Sequence, residues 1–91
     1  MNTDLLLDGA IRKYGEDAQV IKAAEECAEL SAALLQCRSR GTEASYEHAC
    51  EEIADVGIML SQLKRIFDED KISKYESAKL KRLSERIGYK E

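Results

Sequence analysis

A chain of 91 residues that is 44% hydrophobic and 35% charged, with no proline or tryptophan and one phenylalanine, suits one helical domain over residues 1–91. That composition disfavours both a disordered segment and a sheet protein, and it lies near the size at which a single core only just overcomes chain entropy. The net charge of −4 is unevenly divided: residues 1–70 carry 15 acidic and 7 basic side chains, whereas residues 71–91 carry 3 and 7. An acidic body without a broad basic surface disfavours duplex nucleic acid as a partner.

The first helix is expected from about Asp4 to Tyr14, started by Asn2 or Thr3 and stopped by Gly15. It packs through Leu5, Leu6 or Leu7, and Ile11. The second is expected from near Asp17 to Arg40, ending at Gly41, with an apolar side of Val20, Ala24, Cys27, Ala28, Leu34 and Leu35. Thr42 to Ser45 then makes the connection, and Ser45 caps a third helix from Tyr46 to about Phe67. A fourth begins between Asp70 and Ser73, where Ser73-Lys74-Tyr75-Glu76 matches a capping box. It ends at Gly88, with Ile72, Leu80, Leu83 and Ile87 as its stripe. The short link makes the two long helices antiparallel neighbours, and their excess length over a compact globule favours side-by-side self-association. Gly57 costs roughly 1 kcal/mol inside a helix and is expected to allow close helix packing.

No segment approaches the ~18 consecutive apolar residues of a membrane span, and the first residues lack a basic, apolar leader. Cys27, Cys37 and Cys50 are odd in number and lack paired metal-ligand spacing, so reduced core thiols and a cytoplasmic, membrane-free location are expected.

Chemistry enters through Glu51-Glu52-Ile53-Ala54-Asp55. At ~100° per residue, Val56, Leu60, Leu63 and Phe67 share one side of the third helix, with Met59 and Ile66 at its edge. Glu52 projects into the same arc and Asp55 lies at its border. A carboxylate buried without a partner costs several kcal/mol or gives up its charge. On the second helix Glu26 and Glu29 form another pair three residues apart. Glutamate-rich faces are ordinarily solvated; here Glu25 and Glu29 lie opposite the apolar arc and Glu26 at its side, so Glu52 is what calls for a cation. Antiparallel packing can gather the four carboxylates, which at ~5 Å and an effective dielectric of about 20 repel by roughly 3 kcal/mol per pair. A divalent cation relieves this, and an all-oxygen set favours magnesium, manganese or calcium over zinc or copper. A di-iron site wants Glu-x-x-His on two helices, whereas the single histidine, His48, is expected to be partly exposed in the first turn of the third helix.

Glu25-Glu26-Cys27-Ala28-Glu29, a gap of 22 residues and Glu52-Ile53-Ala54-Asp55 together resemble the EExxE, spacer, ExxD pattern of the MazG-like all-α nucleoside triphosphate pyrophosphohydrolases. Gln19, the run Ile58-Met59-Leu60-Ser61-Gln62-Leu63, and Lys79 to Ile87 resemble the flanks of the short, phage-type members, so the likeness spans roughly residues 10–88. It implies a four-helix bundle-like fold that self-associates as a homodimer or homotetramer. It further implies magnesium-dependent cleavage of a nucleoside triphosphate between its α and β phosphates, for sanitation or regulation of nucleotide pools, with manganese as a substitute ion. Glu26, Glu29, Glu52 and Asp55 would be the metal ligands, and Glu25 a general base or a residue that orients the attacking water. Lys79 and Arg82, then Lys22 and Gln19, would contact phosphate. The alternatives are a phosphoribosyl-ATP pyrophosphatase-like enzyme and a non-catalytic helical dimerisation module. This chain has neither the second repeat nor the tryptophan-containing segments of longer members.

Overall fold

The computed structural model describes all residues, 1–91. Four helices make up the fold, and there is no strand: α1 (Thr3–Tyr14), α2 (Glu16–Arg40), α3 (Glu43–Ile66) and α4 (Glu69–Ile87). Asn2 starts α1 by accepting from the Leu5 amide at 3.1 Å. Gly15 alone separates α1 from α2, at φ 90°, a conformation that glycine takes without steric cost. Its N–H closes α1 on the Ile11 carbonyl at 2.8 Å.

The reversal between α2 and α3 is just as tight. Gly41 is left-handed, and its N–H bonds the Cys37 carbonyl at 3.0 Å. Thr42 then caps α3: its Oγ1 accepts from the Ser45 amide at 3.1 Å, and the Ser45 hydroxyl donates back to the Thr42 carbonyl at 2.9 Å. The expected cap, Ser45, therefore lies inside the helix, which starts at Glu43 rather than Tyr46. A similar shift occurs at α4, where Asp68 accepts from the Lys71 amide at 3.1 Å. Ser73 and Glu76 are thus interior to α4 and do not form its capping box.

At 1.5 Å per residue, α2 and α3 each run for ~36 Å, and they pack as the antiparallel pair on which the fold is built. Their buried seam differs from the expected one on α2. Gln19, Ala23 and Ala33 are buried there, with Glu26, Leu30 and Cys37 half-buried, whereas Ala24, Cys27, Ala28, Leu34 and Leu35 face outward. On α3 the seam is Ser45, Ala49, Glu52, Val56 and Met59. Met59 is central rather than marginal, and Leu60 and Phe67 are exposed. Both seams alternate steps of four and three, the spacing by which helices interlock, and alanines where they meet let the backbones approach closely.

The short α1 lies against both long helices and buries Leu7. Arg65 fastens it: Nε donates to Asp8 Oδ1 at 2.9 Å, Nη2 pairs with Asp4, and Nη1 donates to the Ser61 carbonyl at 3.0 Å. By contrast α4 buries nothing, and its Cα atoms come within 8 Å of α3 alone among the helices. The radius of gyration, 16.2 Å, accordingly exceeds the ~12 Å of a compact chain this long. No helix is long and apolar enough to cross a membrane.

Ala33, 1% exposed, tests the seam. Ala33→Leu should destabilise the fold by about 1–3 kcal/mol through overpacking, read as a lower urea midpoint.

Candidate metal centre and adjoining cleft

Because α2 and α3 run antiparallel from a two-residue turn, positions at comparable distances from that turn meet. The packing, offset by a few residues from equal spacing, brings Glu26 of α2 to Glu52 and Asp55 of α3, and one oxygen of each lies within 4.8 Å of the others. Glu52 is the deepest, 8% exposed. Glu26 is half-buried, in the seam itself rather than at its side as the apolar periodicity suggests, and Asp55 opens to solvent.

These charges lack adequate partners within the chain. Glu26 Oε1 has the Lys22 ammonium 3.7 Å away, and Glu52 Oε1 has His48 Nε2 at 4.0 Å, both too long for hydrogen bonds. Lys22 and His48 are more than half exposed, as expected for His48, although the helix start at Glu43 puts it in the second turn of α3 rather than the first. The second oxygens, Glu26 Oε2 and Glu52 Oε2, are buried without any hydrogen-bond partner. Buried polar atoms are nearly always paired, so two carboxylate oxygens buried without donors beside a third carboxylate are the arrangement that needs a physical account.

Glu29 stands one turn beyond Glu26, outside the tightest trio, and is exposed. It still feels the cluster. The negative charge of Glu26 raises its pKa above the ordinary glutamate range, that of Glu52 adds to this, and lost hydration and a hydrogen bond with Glu26 contribute less; Lys22 opposes them. Glu25 is exposed at the neighbouring position on α2.

A cleft of about 480 Å³ opens beside the cluster, with Glu26 and Asp55 on its wall. Lys22 and Gln19 line it from α2, Met59 and Gln62 from α3, and Tyr14 from α1. The two α2 phosphate candidates therefore line the same cleft as Glu26 and Asp55, with Lys22 the nearer to the trio. The two on α4 are apart from it: Lys79 lines a shallow apolar groove with Tyr75 and Leu83, and Arg82 is exposed. Sequence reasoning did not single out Gln62 or Tyr14 as site residues. The signal for Gln62 was present, since it lies two turns from Asp55 and is a buried amide on a face otherwise filled by Met59 and Ile66. Comparisons of the chain with protein-family profiles, curated proteins and solved structures found no match.

Glu29 supplies a pH test. A carboxyl whose pKa is raised by folding contributes stability that is fully present below the unfolded value and lost as pH rises through the folded one. In chelator, Glu29→Gln should therefore raise the Tm at pH 7. The gain should shrink as pH falls toward 4, where wild-type Glu29 is itself neutral; a thermal scan of both proteins across pH checks this.

Proposed function

We propose that the chain is a metal-dependent nucleoside triphosphate pyrophosphohydrolase, releasing a nucleoside monophosphate and pyrophosphate. The observation that carries this reading is the pair of buried, unpartnered oxygens on Glu26 and Glu52, converging with Asp55 at the mouth of a nucleotide-sized cleft. Glu26, Glu52 and Asp55 would hold magnesium, or manganese in its place, with Glu29 as a further oxygen donor. Such an ion supplies charge neutralisation at phosphate oxygens and a bound water of lowered pKa.

The chain's own residues have distinct tasks in this scheme. Glu25, solvated and adjacent to the ligands, orients or deprotonates the attacking water. Lys22 holds phosphate oxygens along the cleft, whereas Gln19, two turns from Glu26 on α2, is left to another part of the substrate. Lys79 and Arg82 act on the triphosphate from the α4 of a second copy, because α4 within one chain approaches neither α1 nor α2. The cellular setting is cytoplasmic, and the role is sanitation or regulation of nucleotide pools.

Self-association has its own support. Tyr46, Ile53 and Leu60 form an exposed row on α3, continued by Cys50 and Gly57. A Cβ on Gly57 would meet nothing within 4 Å, so its expected role in close packing is not met within one chain and is assigned to a second copy. Leu35 of α2 and Leu80, Leu83 and Ile87 of α4 are likewise exposed.

Two experiments test the reading. Glu52→Gln should abolish pyrophosphate release from a panel of ribo- and deoxyribonucleoside triphosphates with magnesium, while leaving the Tm in chelator unchanged or higher. Wild-type protein should gain ~2.7 kcal/mol when magnesium exceeds its Kd a hundredfold, and the variant should not. Retained turnover by Glu52→Gln refutes the ligand assignment; a wild-type Tm indifferent to magnesium, with no turnover, points to a helical interaction module. Separately, wild type should sediment as a dimer or tetramer, and the double variant Ile53→Asp, Leu60→Asp as a smaller species.

A further inference from the structure

We infer that Gln62, with Gln19 beside it, reads the polar edge of the substrate's nucleobase; the inference rests on the hydrolase reading above. The cleft is graded along its length. Among its lining residues, α3 runs from Asp55 through Ile58 and Met59 to Gln62, and α2 from Glu26 through Lys22 to Gln19, which puts carboxylates toward one end and amides toward the other.

Gln62 is only 6% exposed, and its Oε1 is buried with no hydrogen-bond partner. An unpaired acceptor so deep in a folded protein is uncommon, and here it belongs to a residue that lines the cleft. Gln19 is buried to a similar degree, 5% exposed. On the apolar face of a helix pair these two amides add nothing to packing that a methionine would not. Their chemistry is a hydrogen-bond donor beside an acceptor.

Spacing matches that chemistry to a nucleotide. Asp55 and Gln62 are seven residues apart on α3, and Glu26 and Gln19 seven apart on α2, so the acidic and amide ends are separated by two helical turns, ~10 Å. A nucleotide whose α phosphate sits at the carboxylates spans that interval with its sugar, over Met59 and Ile58, and brings its base to the amides. A carboxamide pairs in bidentate fashion with a base edge, as glutamine does with adenine in DNA. The free Oε1 accepts from a ring imino or exocyclic amino N–H, and the amide nitrogen donates to the neighbouring ring nitrogen or carbonyl. The substrate class is therefore a nucleoside triphosphate chosen by its base edge, with Gln62 as the specificity-determining residue.

Two substitutions separate the base contact from the chemistry. Gln62→Met keeps length and burial but removes the polar edge, and Gln62→Glu keeps the shape but leaves only acceptors. The experiment measures kcat/KM for pyrophosphate release from CTP, UTP, ATP and GTP with magnesium, and calorimetric binding of the four monophosphates. Gln62→Met should raise KM for the preferred nucleotide and reduce base preference by about tenfold or more, with kcat less affected. Gln62→Glu should shift preference toward bases whose edge presents donors, raising the CTP:UTP and GTP:ATP ratios by about tenfold. Turnover with the same base ratios in wild type and both variants overturns the inference and leaves the hydrolase reading standing. No turnover, but monophosphate binding whose base preference depends on Gln62, supports the inference and removes the hydrolase reading. Neither turnover nor binding overturns both.

Discussion

The narrowness of the α2–α3 seam forces like charges together, and the site depends on that constraint. Ala23, Ala33 and Ala49 are buried where the helices meet, and small side chains at such contacts permit a close approach of the backbones. Glu26 and Glu52 sit in the same seam as these small residues, with one oxygen of each close to the other and to Asp55. The cost shows in two ways: two carboxylate oxygens are buried without donors, and Glu29, nearby, holds its proton to a higher pH than an ordinary glutamate. A fold selected for stability alone has better residues for these positions. In the function proposed above, a cation supplied from outside would turn the conflict into a binding site.

Register protects this arrangement, and the turn sets the register. With Gly41 left-handed and Thr42 and Ser45 exchanging hydrogen bonds, the reversal has no slack residue to absorb a shift. One inserted residue rotates everything beyond it by ~100°, which takes Glu52 out of the seam. The bond network around Arg65 does the same for α1 at the other end: it anchors the helix whose Tyr14 and Ala10 complete the cleft.

Much of this was legible in the residues, and the failures have a physical pattern. Four helices and their order follow from periodicity and glycine stops. Glu52 stood out because α3 has one strongly apolar arc against which a charge is conspicuous. On α2 the same reasoning chose the wrong face. Its large apolar residues, Leu34 and Leu35, point outward, while the true seam is built from Ala23, Ala33 and the edge of Glu26. Hydrophobic periodicity weights large side chains, whereas close helix contact selects small ones, so the deeper seam carries the weaker signal. The α3 and α4 starts erred for a related reason. Ser45 and Ser73 are adequate caps in isolation, but Thr42 and Asp68 lie three and five residues earlier and extend each helix by further hydrogen-bonded positions.

The angular layout of α3 explains how one helix serves several purposes. Measured around its axis at ~100° per residue, Asp55, Met59 and Gln62 face the cleft. Ser45, Ala49, Glu52 and Val56 occupy the next sector, against α2. Tyr46, Ile53, Gly57 and Leu60 are nearly opposite Asp55 and Gln62, in solvent. The outward stripe can therefore be covered by a second copy without obstructing the cleft. Covering it would also add burial to a chain whose own core holds six buried apolar residues and leaves α4 unpacked. If the proposed assembly and chemistry both hold, they would meet on one helix, the first against its outward stripe and the second on the face that borders the seam.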